Sequence, residues 1–170
     1  ARAFAYSREP NTQEALSEIN SLLSDIPSDP YFLELKAQIH FDGGDVNAAI
    51  PPFREAVKAL PEEPLLRGEL GRVLLESTQP GALEEAVEQL KFALSRDKRS
   101  ASNWRNLGIA YGRLGDIGRS SLALAEEAML RGQDSEARYH AGRAAESFPR
   151  GSPEWLQSQD LLLALDNKKK

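Results

Sequence analysis

The chain has 170 residues, 41% hydrophobic and 28% charged, the balance of a folded protein with a sizeable core rather than of a disordered segment. Its net charge of -5 leaves no basic footprint for nucleic acid or an anionic membrane, and no apolar run approaches the ~18 residues of a membrane span. With no cysteine there is neither a disulfide framework nor a thiolate metal site, and Ala1 to Pro10 lacks the basic start and apolar stretch of a signal peptide.

Taken from the N-terminus, Ala3 and Tyr6 read as a small and a large residue on one face of a first helix whose opening turn would precede Ala1. A second helix carries the stripe Leu16, Ile19, Leu22, Leu23 and Ile26, with Ala15 as its small residue, and Pro27 ends it. Asp29-Pro30 opens the third, because the first helical position has no use for the N–H that proline lacks. Its small and large residues are Ala37 and His40. Gly43-Gly44 turns the chain into a fourth helix with Ala49 and Phe53, where Pro51-Pro52 predict a late start or a kink. Pro61 and Glu63-Pro64 separate it from a fifth, with Gly71 and Leu74.

The run Glu76 to Gly81 reads as a lengthened turn. After it Leu83, Ala86, Val87, Leu90, Ala93 and Leu94 form the stripe of the next helix. Trp104, Leu107, Gly108 and Tyr111 share one face of the helix after that, and Gly115 turns into another with Ser120 and Leu124. Ala125, Ala128, Ala137, Ala141, Ala144 and Pro149 continue the pattern, but Ala137 follows Ser120 by only 17 residues. The helix from Ile117 to Leu130 therefore closes one repeat and opens the next. Ser152-Pro153 starts a last helix, running to about Asp166.

The small residues Ala3, Ala37, Gly71 and Gly108 are spaced by 34, 34 and 37 positions, the extra three falling in the lengthened turn. Trp104, Leu107, Gly108 and Tyr111 match W-x2-L-G-x2-Y, and the chain thus resembles the tetratricopeptide repeat (TPR), whose period is about 34 residues. The fold expected is all-α, a TPR-type superhelical solenoid of antiparallel helix hairpins with a C-terminal capping helix. One domain over 1–170 would hold a partial repeat at about 1–29 and repeats at 30–63, 64–100 and 101–133. An irregular fifth at 118–150 and the capping helix 152–166 would complete it, and an opening turn that would precede Ala1 leads us to expect a fragment of a longer polypeptide.

Catalytic chemistry is absent from the pattern. A zinc peptidase helix needs two imidazoles one turn apart with a glutamate between, and the only histidines, His40 and His140, are 100 residues apart. His40 stands at a large position and is expected to pack; His140 is expected to face solvent. There is no G-x-S-x-G, and Gly112, Gly115 and Gly118 follow no strand, so they read as a hairpin turn. Glu84-Glu85 and Glu126-Glu127 read as solvated faces, and Lys168-Lys169-Lys170 as a helix-ending tail. No catalytic, cofactor-binding or metal residue is expected.

Binding is the chemistry such a solenoid offers, through the first helices that line its concave side. The frame places Tyr31, Glu34, Gln38 and Phe41 there, then Arg72 and Leu75, then Arg105, Asn106, Ile109 and Arg113. Tyr31, Glu34, Gln38, Phe41, Arg72, Arg105, Asn106 and Arg113 are the candidate partner-binding residues. Arg72, Arg105 and Arg113 suit a carboxylate or an acidic peptide; alternatively they pair with neighbouring glutamates or with an adjoining domain.

A narrower resemblance covers Pro30 to Leu165. Pro30-Tyr31-Phe32-Leu33-Glu34-Leu35-Lys36, Ala49-Ile50-Pro51-Pro52, Ala110-Tyr111-Gly112-Arg113 with Gly115-Asp116, and Gly151-Ser152-Pro153-Glu154-Trp155-Leu156 with Gln159-Asp160 carry it. These segments resemble the C-terminal TPR region of bacterial BepA-type zinc metallopeptidases, a branch of the gluzincins. The resemblance implies an absent catalytic domain that holds the zinc, a periplasmic or envelope-associated setting, and a role in envelope protein quality control. Partners would be proteins or peptides, the protease domain of the same polypeptide included, with no nucleic acid and no membrane insertion. The alternative is a stand-alone TPR scaffold or chaperone adaptor that binds a peptide in its concave groove.

Overall fold

The computed structural model describes residues 12–168, so Ala3 and Tyr6 of the expected first helix, and Lys169 and Lys170 of the tail, lie outside the described residues. Among those described, the regular structure is all helical. The elements are α1 (Thr12–Asp25), α2 (Pro30–Asp42), α3 (Val46–Ala59), α4 (Pro64–Glu76), α5 (Ala82–Arg96), α6 (Ala101–Arg113), α7 (Ile117–Leu130), α8 (Asp134–Ser147) and α9 (Pro153–Asn167). They fall into two compact units, Ala1–Ala82 and Leu83–Lys170.

Helix starts follow from local chemistry. Asp29 accepts the N–H groups of Tyr31 and Phe32 at 3.0 Å, Glu63 that of Leu65 at 3.2 Å, and Ser152 that of Trp155 at 3.2 Å. In each case proline holds the first helical position, where its fixed φ fits and its missing N–H costs nothing.

Three connections share one geometry. Gly44, Gly115 and Gly132 take positive φ values of 83°, 81° and 70°, which a side chain would strain. The N–H of each following residue, Asp45, Asp116 and Gln133, donates at 2.9 Å to the carbonyl five residues back. The same residue then begins the next helix. Asp45 and Asp116 cap α3 and α7 by accepting from Ala48 at 3.1 Å and Arg119 at 2.9 Å. Gln133 makes no such bond, so α8 starts uncapped.

Inside the first unit α1 packs on α2, α2 on α3 and α3 on α4. Ala15, Ile19 and Ile39 form a buried cluster with Leu16, Leu23, Phe32 and Leu35 around it. Phe53 is wholly buried, worth about 2–3 kcal/mol by transfer. In the second unit α6 packs on α7, α7 on α8 and α8 on α9. A hydrogen in place of a side chain sets the first of these seams: a Cβ on Gly108 would lie 2.9 Å from the Leu124 Cγ. Ser120 reaches across and donates to the Gly108 carbonyl at 2.8 Å. Ala125, Ala141 and Ala144 give α7 and α8 a similar close contact, closed by Leu122 and by Leu161 of α9.

One expectation needs correction. α3 does not start late: Asp45 caps it at Val46, and both prolines lie inside the helix. The cap fixes a complete turn before Pro51, and the burial of Ile50, Pro52, Phe53, Ala56 and Val57 holds the rest in place.

Gly108→Leu should destabilise the protein by about 3 kcal/mol through overpacking, seen as a lower denaturant midpoint. Gln133→Asp should restore the missing cap and raise stability by about 0.5–1 kcal/mol in the same measurement.

Candidate functional site

The candidate residues lie in both units, so each face stands by itself. In the first unit, Glu34, Gln38 and Phe41 recur along α2 at helical spacing and Arg72 stands on α4. The Arg72 guanidinium is fully engaged. Its Nε donates to Glu69 at 2.8 Å, a terminal nitrogen donates to the Gln38 Oε1 at 3.2 Å, and its plane lies 4.4 Å from the Phe41 ring centroid. Gln38 in turn donates to Asp42 at 2.6 Å. Tyr31, at the start of α2, is 68% exposed and takes no part in this network.

The pairing of arginine with a neighbouring glutamate is therefore what α4 shows, and Arg72 presents a neutralised, stacked surface rather than a free cation. Leu75 does not join the face. It is 2% exposed and belongs to the core. Glu34 has no paired cation among the described residues. Burial pushes its carboxyl above the ordinary range, and the charges of Glu69 and Glu63 push the same way.

In the second unit, α6, α7 and α8 enclose a pocket of about 340 Å³. Arg105 and Ile109 come from α6, Leu124 and Glu127 from α7, and Glu136 and His140 from α8, with Arg131 just past the end of α7. Arg131 is held by Glu127 at 2.6 Å, whereas Arg105 is exposed and makes no ion pair among the described residues. Arg113 stands two turns further along α6 and does not line this pocket; nor does Asn106.

His140 departs from expectation. It is half-buried against the pocket, and its Nδ1 is buried with no hydrogen-bond partner. Burial holds its pKa below the usual imidazole value, Arg143 adds to this, and Glu136 and Glu127 oppose it. Sequence spacing missed it because solvation depends on how closely the alanines of α8 let that helix approach α7. Glu126-Glu127 is likewise no solvated face: Glu127 is 8% exposed and Glu126 accepts from Gln157 at 2.6 Å. His40 is half-buried at its repeat position, its pKa lowered by burial against the pull of Asp45.

Among the described residues no group of three or more His, Asp or Glu could hold a metal ion, and no helix is long and apolar enough to cross a membrane.

A proton bound at Glu34 favours the folded state, because its folded pKa lies above the unfolded value. Stability from this group is present at low pH and is lost as pH rises through the raised pKa. Glu34→Gln should thus raise the melting temperature at pH 7, and the gain should shrink as pH falls toward 4.5.

The comparisons with known proteins agree with this architecture. The family model for the tetratricopeptide repeat matches residues 5–148. No curated protein matches the sequence significantly. Among solved structures, the crystal structure of MamA aligns with a TM-score of 0.73 at 14% identity, covering 99% of this chain and 96% of that one. MamA 41-end from Desulfovibrio magneticus RS-1 gives 0.70 at 17% identity, with 98% and 90% covered. The thermophilic TPR protein TTC0263 of Thermus thermophilus gives 0.55 at 22% identity, with 95% of each chain covered. At these identities the likeness is one of fold. With the family model spanning well over half of the chain and paired helices meeting at Gly108 and Ser120 as the repeat requires, this protein belongs to the tetratricopeptide repeat family.

Proposed function

We propose that this chain is a scaffold that binds a segment of another protein, and that its first-helix faces make the contact. One observation supports this most: in the pocket between α6, α7 and α8, the Arg105 guanidinium, with no ion pair among the described residues, stands beside the 36% exposed Ile109. The buried, unpartnered His140 Nδ1 lines the same pocket. A polar atom left so is costly unless a ligand or water completes it. The preferred ligand carries a carboxylate for Arg105 and an apolar group against Ile109 and Leu124. Asn106 and Arg113 extend this face along α6, and Tyr31, Glu34, Gln38, Phe41 and Arg72 form a second contact in the other unit. There the phenol ring and the stacked Arg72–Phe41 pair offer a flat apolar surface rather than charge.

A finer reading makes the scaffold the C-terminal part of a bacterial zinc metallopeptidase that acts in envelope protein quality control, positioning substrates or partners. Its support is the sequence likeness around Pro30 to Lys36 and Gly151 to Leu156. The described residues do not fit a zinc site, so no step through a metal is assigned to this chain. Coding sequence upstream of Ala1 decides between the readings. An H-E-x-x-H helix there favours the peptidase, and further repeats favour a stand-alone scaffold or chaperone adaptor.

The direct test is a panel of acidic peptides measured by fluorescence anisotropy. Arg105→Glu should leave the melting temperature unchanged and weaken the best binder by about tenfold or more, the scale of a lost charge-assisted contact. Unchanged affinity would sink the assignment of this pocket.

A further inference from the structure

The opposite side of α6 carries a second cavity, larger than the first and built from different residues. Trp104, Leu107 and Tyr111 recur along this helix at i, i+3 and i+7, and they line a pocket of about 460 Å³ together with residues of α5, the turn after it, α7 and α9. The volume lies within the range of small-ligand and side-chain pockets. Leu94, Leu122 and Ala123 add an apolar floor.

Its polar groups divide into those already engaged and those left over. On the α7 and α9 side, Arg119 donates to Asp116 at 2.8 Å and to Glu154 at 3.2 Å, and Glu126 accepts from Gln157. The Trp104 indole N–H donates to the Lys98 carbonyl at 2.9 Å, so only the ring face remains for a ligand. Left over are Lys91 and Lys98 at the pocket wall, both exposed and neither in an ion pair among the described residues. Also left over is the hydroxyl of Tyr111, which has no hydrogen-bond partner there. Burial raises the pKa of that phenol, keeping it a donor at neutral pH.

We propose that this cavity is a second docking site, and that it takes an acidic segment of a partner protein with one apolar anchor residue. The anchor fills the floor between Trp104, Leu107 and Leu122. Carboxylate side chains on either side of it meet Lys91 and Lys98, and Tyr111 donates to a backbone carbonyl. The placement of charge selects this occupant: Glu126 and Glu154 stand on α7 and α9, held by Gln157 and Arg119, while α5 and the turn after it contribute to the wall only the cations Lys91 and Lys98 as charged groups. Lys91 stands on α5, whereas Lys98 lies beyond the helix end at Arg96. The helix alone advances roughly 7.5 Å from Lys91 to that end, so the two cations serve two carboxylates rather than converge on one. An acidic segment is therefore a better match than a single terminal carboxylate. The proposal rests on this geometry alone and stands apart from the pocket beside Arg105.

The test uses the full chain and a library of fluorescein-labelled, end-blocked peptides in which a Phe, Leu or Trp is flanked by Asp and Glu. At least one member should bind, and replacing its acids by Asn and Gln, or its anchor by Ser, should weaken it about tenfold or more. Lys91→Glu with Lys98→Glu should do the same without changing the melting temperature, since both side chains are exposed. Tyr111→Phe should weaken binding several-fold, and added salt should weaken it progressively. On titration the Trp104 indole resonance should shift. Arg105→Glu should leave this binding intact, which separates the two pockets. The proposal is overturned if no member binds, if the lysine pair is dispensable, if a free C-terminus proves necessary, or if Arg105→Glu abolishes the binding.

Discussion

Everything in this molecule depends on helices coming close enough to share a backbone-to-backbone contact. Helix axes separate according to the bulk at their crossing. At Gly108 that bulk is a hydrogen, and the space a methyl would take is filled by Leu124. The Ser120 hydroxyl can then reach the Gly108 carbonyl, an interaction that any larger residue at either position would block. Ala15, Ala37 and Ala49 occupy the corresponding places in the first unit and are wholly buried. Once such a seam is fixed, large residues one turn away, such as Ile19 and Phe53, have only one gap to enter.

The seam also decides what the exposed faces look like. In a repeat protein each unit meets only its neighbours, so equivalent positions on successive repeats become neighbours in space. Gln38 and Arg72, 34 residues apart, are joined by a hydrogen bond; Asp134 and Lys168, again 34 apart, form an ion pair at 2.9 Å. Arg119 and Glu154 pair across 35 residues. A polar side chain on one repeat therefore meets its counterpart on the next before it meets any ligand. This ladder explains why Arg72 is spent internally while Arg105, with no such neighbour among the described residues, is not.

Positional rules made much of the fold readable from the sequence. Proline at a first turn, glycine where φ is positive and a small residue every 34 positions are constraints on the backbone, and they act locally. Pro30, Pro64, Gly44 and Gly115 accordingly stand where the spacing put them. What the spacing missed depends on three-dimensional company. Pro51-Pro52 left a late start open because nothing local shows that the Asp45 cap and the burial of Ile50 and Phe53 carry the helix through them. Leu75 read as groove, yet it is buried in the core. Glu127 and His140 read as solvated because nothing in α7 or α8 alone reveals how near the two helices lie. The pocket between Lys91 and Trp104 left no trace in a motif search, since TPR signature residues such as Trp104 and Tyr111 read as packing.

Net charge proves a poor guide to what such a protein attracts. The excess of acid in the composition suggests a surface that repels anions. Yet many carboxylates here have structural work: Asp29, Asp45, Glu63 and Asp116 cap helices, and Glu69, Glu127 and Glu154 hold arginines. A carboxylate paired with a guanidinium has its charge compensated locally, and the field of any surface charge fades beyond a Debye length of about 8–10 Å. Lysine and arginine side chains have no equivalent task at helix starts, so those not claimed by a carboxylate are left facing outward. Arg105, Lys91 and Lys98 are such residues: Arg105 lines a cavity with Ile109 and Leu124, and the lysines line one with Leu94, Leu107 and Leu122. Where a cation stands at a pocket wall, rather than the sum over the chain, sets the sign of the group that can meet it there.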